Sequence, residues 1–222
     1  MANYNGIYNR IIKRIIGFVL SALLIIVFSP VLICVSIAIF IDSGSPIFYR
    51  APRGGYKGGQ FMIYKFRTMV KEADKIGGGT TAFNDDRITR VGLFLRKTKL
   101  DEFANLFSIF KGDMSFIGPR PELLKYTQNY TQNEKCILEV RPGMTDYSSI
   151  EFINLDEIVG EENADIIYEK KVLPKKNELR VKYANSVSLK VDFYLFWKTI
   201  VRVITKALTF VVNKEKNGVF ND

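Results

Sequence analysis

A chain of 222 residues, 47% hydrophobic and with a mean hydropathy of +0.03, has material for one domain of ordinary size plus an appendage. Thirty-two Lys and Arg against 23 Asp and Glu leave a formal charge of +9, which points to an anionic partner: nucleic acid, a phosphate-bearing substrate or an acidic membrane surface. With no histidine and only Cys34 and Cys136, Ser-His-Asp and Cys-His hydrolases and His-ligated or Cys-only zinc sites are excluded and a disulfide framework is disfavoured, so any catalysis has to rest on carboxylates, lysines, arginines or a hard metal ion.

From Ile15 to Ile41 the chain runs 27 residues without a charge. As one helix this would extend about 40 Å, enough to cross a hydrocarbon core of about 30 Å. Two features point away from a simple span. Ser29-Pro30 lies at its middle, where Pro30 lacks an amide proton and crowds the carbonyl of Ile26; the Ser29 hydroxyl can satisfy a carbonyl freed there. Both flanks are also basic, with Arg10, Lys13 and Arg14 before the run and Arg50, Arg53 and Lys57 after it, which draws both ends to the cytoplasmic side. The expectation is a re-entrant helix–break–helix over residues 1–42, with Ser29 and Pro30 as the membrane break.

The body, residues 43–213, begins strongly basic: residues 42–100 carry 12 basic and 5 acidic side chains, whereas residues 143–185 carry 6 and 9. Two β-prone runs, Ile47 to Arg50 and Phe61 to Phe66, flank a Gly-rich stretch and read as a hairpin. The glycines match neither phosphate-loop pattern, and Gly77-Gly78-Gly79 reads as a loop without chemistry. After Thr98, Leu100, Phe103, Leu106, Phe107 and Phe110 mark one face of a helix closed by Lys111-Gly112-Asp113, with Asp101 and Glu102 in its first turn. Carboxylates there can serve as a plain helix cap; ringed by Arg96, Lys97, Lys99 and Arg120, they can equally meet a phosphoryl group. Gly118-Pro119-Arg120-Pro121 presents Arg120 from a stiff turn, and its planar fork suits bidentate phosphate binding. From Ser188 to Asn213 apolar residues recur at helical spacing, with Lys198, Arg202 and Lys206 on another face: either an interfacial amphipathic helix or an ordinary surface helix packed on the core. Residues 214–222 form a polar tail.

Taken in order, these pieces are recognisable. Tyr64-Lys65-Phe66-Arg67-Thr68-Met69, Arg96 to Glu102, Lys111 to Ser115, Gly118 to Pro121, Arg141-Pro142-Gly143 and Ser188 to Asp192 resemble the bacterial sugar transferases, the monotopic polyprenyl-phosphate phosphoglycosyl transferases. The resemblance implies an α+β, mostly helical protein: a re-entrant membrane segment, and a small cytosolic catalytic domain with a short β-hairpin and interfacial amphipathic helices. It implies transfer of a sugar-1-phosphate from a UDP-sugar to polyprenyl (undecaprenyl) phosphate with release of UMP, at the cytoplasmic face of the bacterial inner membrane. By that resemblance Asp101 is the nucleophile of a covalent phosphosugar intermediate and Glu102 a ligand of Mg²⁺. Lys65, Arg67, Arg96, Arg120, Arg141 and Asp192 align with substrate- or phosphate-binding positions.

Two departures stand out: Met144 to Ser149 differs from the usual continuation after Arg141-Pro142-Gly143, and Arg180 stands twelve residues before Asp192, where an acidic residue is common. No particular donor sugar is carried over, and the oligomeric state, homodimer included, stays open. The alternative reading is a membrane-anchored basic binding protein without catalysis; a nucleic-acid partner is disfavoured because no reader motif accompanies the charge.

Overall fold

The computed structural model describes residues 3–73, 85–160 and 164–218, with side chains through residue 205 apart from 156 and 157. Gly77-Gly78-Gly79 lies outside the described residues. The uncharged run forms one helix, α1 (Lys13–Ser43), entered through a wider helical turn over Tyr8–Ile12. Among the described residues it is the helix long and apolar enough to cross a membrane. No residue leaves the helix at Ser29-Pro30, which corrects the expected break. The reason is local: the Ser29 hydroxyl donates to the Ile26 carbonyl at 2.8 Å. That carbonyl is the one an amide at position 30 would have bonded, so the helix continues through the proline.

One stripe of α1 packs on the rest of the chain along its whole length. Gly17 lies beneath Ile109, Leu24 and Ile25 join the cluster around Leu106 and Ile109, and Phe28 meets Phe103 edge-on at 5.2 Å. Leu32, Val35 and Ile39 are buried with Phe66, Leu95 and Ala104. Both ends are tied to the same body. At the start, Arg14 donates to the carbonyls of Ile109 and Phe110 at 2.9 Å each, and the Asn9 amide donates to Glu139 O at 3.0 Å. At the finish, Arg67 donates to the Ser43 carbonyl, the Ser43 hydroxyl and the Gly44 carbonyl at 2.6–2.8 Å. The other face of α1, from Ile15 and Val19 to Phe40 and Ile41, is exposed.

The Gly-rich segment forms the expected hairpin. β1 (Phe48–Gly54) pairs antiparallel with β2 (Gln60–Phe66), placing Arg50 opposite Tyr64 and Tyr49 opposite Lys65. The next segment differs from expectation. α2 (Arg90–Thr98) is capped by Thr89, whose hydroxyl accepts from Gly92 N at 3.0 Å, and it ends on Lys99 in the left-handed region, φ +60°. Gly92 is required there, because a Cβ would stand 2.0 Å from the Thr68 carbonyl. A 3-10 turn over Leu100–Ala104 then runs into α3 (Asn105–Lys111), which Gly112 closes at φ +98°. Asp101 and Glu102 therefore sit in a tight turn wedged between two helices rather than in the first turn of one.

A second, parallel pair unites β3 (Ser115–Ile117) with β4 (Gly143–Thr145). Short helices α4 (Leu124–Thr127), α5 (Tyr147–Glu151), α6 (Leu155–Val159) and α7 (Ala164–Ile167) lead to α8 (Leu173–Ser186) and α9 (Leu189–Gly218). α9 turns Asp192 and Leu195 inward, and Thr199 reaches Thr145 at 2.9 Å. Leu189, Phe193, Phe196, Trp197, Val201 and Ile204 face outward and are exposed. An ordinary surface helix sends its apolar face to the core; α9 presents its apolar face away from the body.

Candidate active site

The tight turn at residues 100–104 brings both carboxylates against the hairpin and the Pro-flanked turn. Lys65, near the end of β2, places Nζ 3.6 Å from Glu102 and 3.9 Å from Asp101. Arg120 meets Glu102 as a fork, with Nη1 to Oε2 at 2.9 Å and Nη2 to Oε1 at 2.5 Å, and also donates to the Met144 carbonyl at 3.3 Å. Four residues from three segments thus form one charged cluster: Asp101, Glu102, Lys65 and Arg120. The carboxylates lie at its floor, and about a third of the Arg120 side chain and a quarter of that of Lys65 stay open to solvent (32% and 27%).

The two acids are not equivalent. Burial raises the Asp101 carboxyl above the ordinary carboxylate range, and the pull of Lys65 does not fully offset it. Burial acts the same way on Glu102, but the charges of Arg120 and Lys65 outweigh it and hold Glu102 well below that range. Glu102 is a fixed anion tied to two cations. Asp101 has a buried oxygen, Oδ1, with no hydrogen-bond partner among the described residues. A carboxylate with one oxygen unclaimed, beside cations partly open to solvent, is equipped to engage a phosphorus centre or a cation.

No group of three or more Asp, Glu, Cys or His side chains is gathered as a metal cage among the described residues. Two adjacent oxygen donors still fit Mg²⁺, which keeps waters and takes further oxygens from substrate phosphates.

The remaining sequence-derived positions fall elsewhere. Arg96 stands behind Asp101 within its field, its Nε donating to the Thr68 hydroxyl at 2.8 Å. Arg67 is buried and closes the end of α1. Arg141 donates to the Gly112 carbonyl at 3.2 Å and stacks over Tyr56 at 4.6 Å. Asp192 anchors the start of α1: it accepts from Tyr8 at 2.7 Å and Tyr183 at 2.6 Å and pairs with Lys13 at 2.9 Å.

Behind Arg120 lies a charge network that the spacing did not reveal. Arg180 is fully buried and donates to Glu122 at 2.6 Å and to Asn177 at 3.1 Å. Glu122 also accepts from Tyr168, and burial beside Arg180 pushes Lys176 down to about 8. Asp146, in the departing Met144–Ser149 segment, caps α5 by accepting from Ser149 N at 2.7 Å, and its charge acts on Arg120 and Arg180. Arg180 thus has its own partner in Glu122. The adjacency of Glu122 to the Pro-Arg-Pro turn was the available signal; its partner lies 58 residues away.

Residues 8–206 match the family profile described as bacterial sugar transferase. The chain is 38% identical over 146 residues to the UDP-glucose:undecaprenyl-phosphate glucose-1-phosphate transferase of Escherichia coli K12, covering 64% of this chain and 31% of that protein. Against the uncharacterized sugar transferase EpsL of Bacillus subtilis it is 31% identical over 194 residues, 87% of this chain and 88% of that one. It is also 36% identical over 152 residues to the undecaprenyl-phosphate galactose phosphotransferase of Salmonella typhimurium, covering 62% and 32% respectively. The chain therefore spans about a third of the two functionally named relatives and most of the third.

Proposed function

Because this chain belongs to the bacterial sugar transferase family, we propose that it is a membrane-bound phosphoglycosyl transferase that moves a sugar-1-phosphate from a UDP-sugar to polyprenyl phosphate. The observation that carries the reading is the asymmetric acid pair: Asp101 with one oxygen unclaimed, set against Glu102 locked to Arg120 and Lys65. In the first half-reaction an Asp101 carboxylate oxygen attacks the sugar-bearing phosphorus. The bond from that phosphorus to the bridging oxygen breaks, and UMP leaves with the electron pair. In the second, a phosphate oxygen of the acceptor attacks the same phosphorus and Asp101 departs as a carboxylate, leaving the polyprenyl diphosphosugar. Lys65 and Arg120, partly exposed above the acids, neutralise equatorial phosphoryl oxygens as charge redistributes. Glu102 would hold Mg²⁺, which when bound would supply further neutralisation of the diphosphate.

The same-side membrane topology belongs to this reading. It is supported by the body holding both ends of α1, by the basic flanks, and by two apolar faces, on α1 and α9, turned away from the body. In this arrangement the catalytic domain lies on the cytoplasmic face of the inner membrane. Purified protein incubated with UDP-sugars, Mg²⁺ and undecaprenyl phosphate should release UMP with at least one donor. Release with none would favour a membrane-anchored binding protein instead. Cysteines placed before Ile11 and after Asp42 should both label from the cytoplasmic side; labelling from opposite sides would contradict the topology.

A further inference from the structure

A second cationic cluster lies on the outer face of the hairpin. Side chains alternate across a strand, so Tyr64 points to the face opposite its neighbour Lys65 and away from the acid pair. Two cations lie against its ring: the Arg50 guanidinium is 4.9 Å from the centroid and the Lys111 ammonium 4.5 Å from it. Lys111 Nζ also donates to the Tyr64 hydroxyl at 2.7 Å. Arg50 and Lys111 are both exposed, and neither has a carboxylate partner among the described residues. Asp113 is the acidic group whose charge acts on the Tyr64 hydroxyl, and its effect there is weaker than those of Lys111 and Arg50. Two like charges gathered on one phenol, with no carboxylate paired to either, form a positive patch that an anion would complete.

The setting identifies the anion. Lys111 follows Phe110, which is half exposed and stacks at 5.0 Å on Phe18, a residue of the exposed face of α1. Arg14 lies over Phe18 at 5.5 Å. Met62, on the same hairpin face as Tyr64, is also exposed. Apolar surface therefore gives way to a Tyr, Arg and Lys rim within one residue, the arrangement suited to the boundary between acyl chains and headgroups.

We propose that Arg50, Tyr64 and Lys111 form a binding site for the phosphate of an anionic membrane phospholipid, separate from the catalytic cluster and seating the hairpin on the bilayer. The proposal rests on the membrane reading of α1. A phosphate oxygen would accept from both cations, with the phenol holding them in place. A single site of this kind adds affinity in proportion to the anionic lipid fraction and weakens as salt rises.

The test uses the full chain reconstituted in vesicles of phosphatidylcholine alone or with 30% phosphatidylglycerol. The rate of amine acylation at Lys111 is followed by mass spectrometry relative to exposed Lys125. The relative rate should fall several-fold in the anionic vesicles at low salt and recover at high salt. Arg50→Gln should abolish that difference. Tyr64→Phe, which keeps the ring, should reduce it. An unchanged Lys111 rate in protein that resists carbonate extraction would overturn the site while leaving the membrane reading intact; extraction by carbonate would overturn that reading first. Undecaprenyl phosphate at about one molecule per protein in pure phosphatidylcholine is the second arm. Protection of Lys111 there, and not by phosphatidylglycerol, would assign the phosphate to the acceptor lipid and refute the phospholipid site.

Discussion

Replacing Arg180 by Met removes a fully buried cation of similar length and leaves Glu122, whose side chain is 11% exposed, without its principal partner. Breaking a buried pair by removing one member costs about 3–5 kcal/mol, because an uncompensated charge stays inside. Here Tyr168 still donates to Glu122 and Lys176 lies nearby, so the lower end applies. At about 2–4 °C per kcal/mol for a chain of this size, Tm should drop by about 6–12 °C. Arg180→Met/Glu122→Gln removes both charges, and a neutral pair in a packed interior loses much less. The double variant should recover at least half of the drop, a large favourable coupling in a double-mutant cycle. Thermal unfolding in one detergent at a fixed scan rate gives all four Tm values. Because the field of Arg180 helps hold the Glu122 carboxyl below its ordinary range, the stability of the pair is present above that range and is lost as pH falls from it through the depressed folded value. The difference between wild type and Arg180→Met should therefore shrink in acid. An Arg180→Met protein within a degree of wild type, or a double variant as unstable as the sum of the singles, would show that Arg180 and Glu122 are not coupled.

Asp101→Asn should raise Tm while reducing turnover by at least about a thousandfold, the scale seen when a nucleophile is removed. Burial raises the folded-state carboxyl of Asp101, so its ionised form opposes folding at neutral pH; the Tm gain should shrink as pH falls through the raised value and disappear below the ordinary one, and equal Tm values at neutral pH would contradict this. Arg67→Gln removes the nitrogen, Nη2, that contacts three acceptors at the end of α1, and should lower Tm by several degrees, the scale of one hydrogen bond from a charged group at about 1.5–3 kcal/mol. If Arg67 instead binds phosphate, KM for the donor would rise with little change in Tm. Gly92→Ala drives a methyl into the Thr68 backbone and should cost about 1–3 kcal/mol or more, read as lower Tm and faster limited proteolysis.

What could be read from the sequence was the local pattern. The uncharged run, the Gly-rich hairpin and the stiff Pro-Arg-Pro turn each announce themselves over a few residues. The Ser29 hydroxyl does bond the Ile26 carbonyl, but that bond preserves the helix instead of marking a break in it. The acid pair was visible, whereas its setting was not: Lys99 adopts a left-handed conformation usually supplied by glycine, so nothing local signals that one helix ends and a 3-10 turn begins there. The parallel pairing of β3 with β4 joins three-residue strands that carry no alternation to detect. Glu122 with Arg180, and Lys13 with Asp192, are pairs of distant residues whose partners only the tertiary fold selects. Arg67 and Asp192, which the resemblance aligns with substrate- or phosphate-binding positions, lie in the fold at the two ends of α1.

The proposed reaction requires that Asp101 carry the phosphosugar. Purified protein incubated with a UDP-sugar that supports turnover, with Mg²⁺ and without acceptor, should release about one equivalent of UMP and gain the mass of one sugar phosphate. Peptide mass spectrometry should place that mass on Asp101, and addition of undecaprenyl phosphate should discharge it. Acceptor-dependent turnover with no adduct, or an adduct that persists in Asp101→Asn, would contradict a covalent role for Asp101.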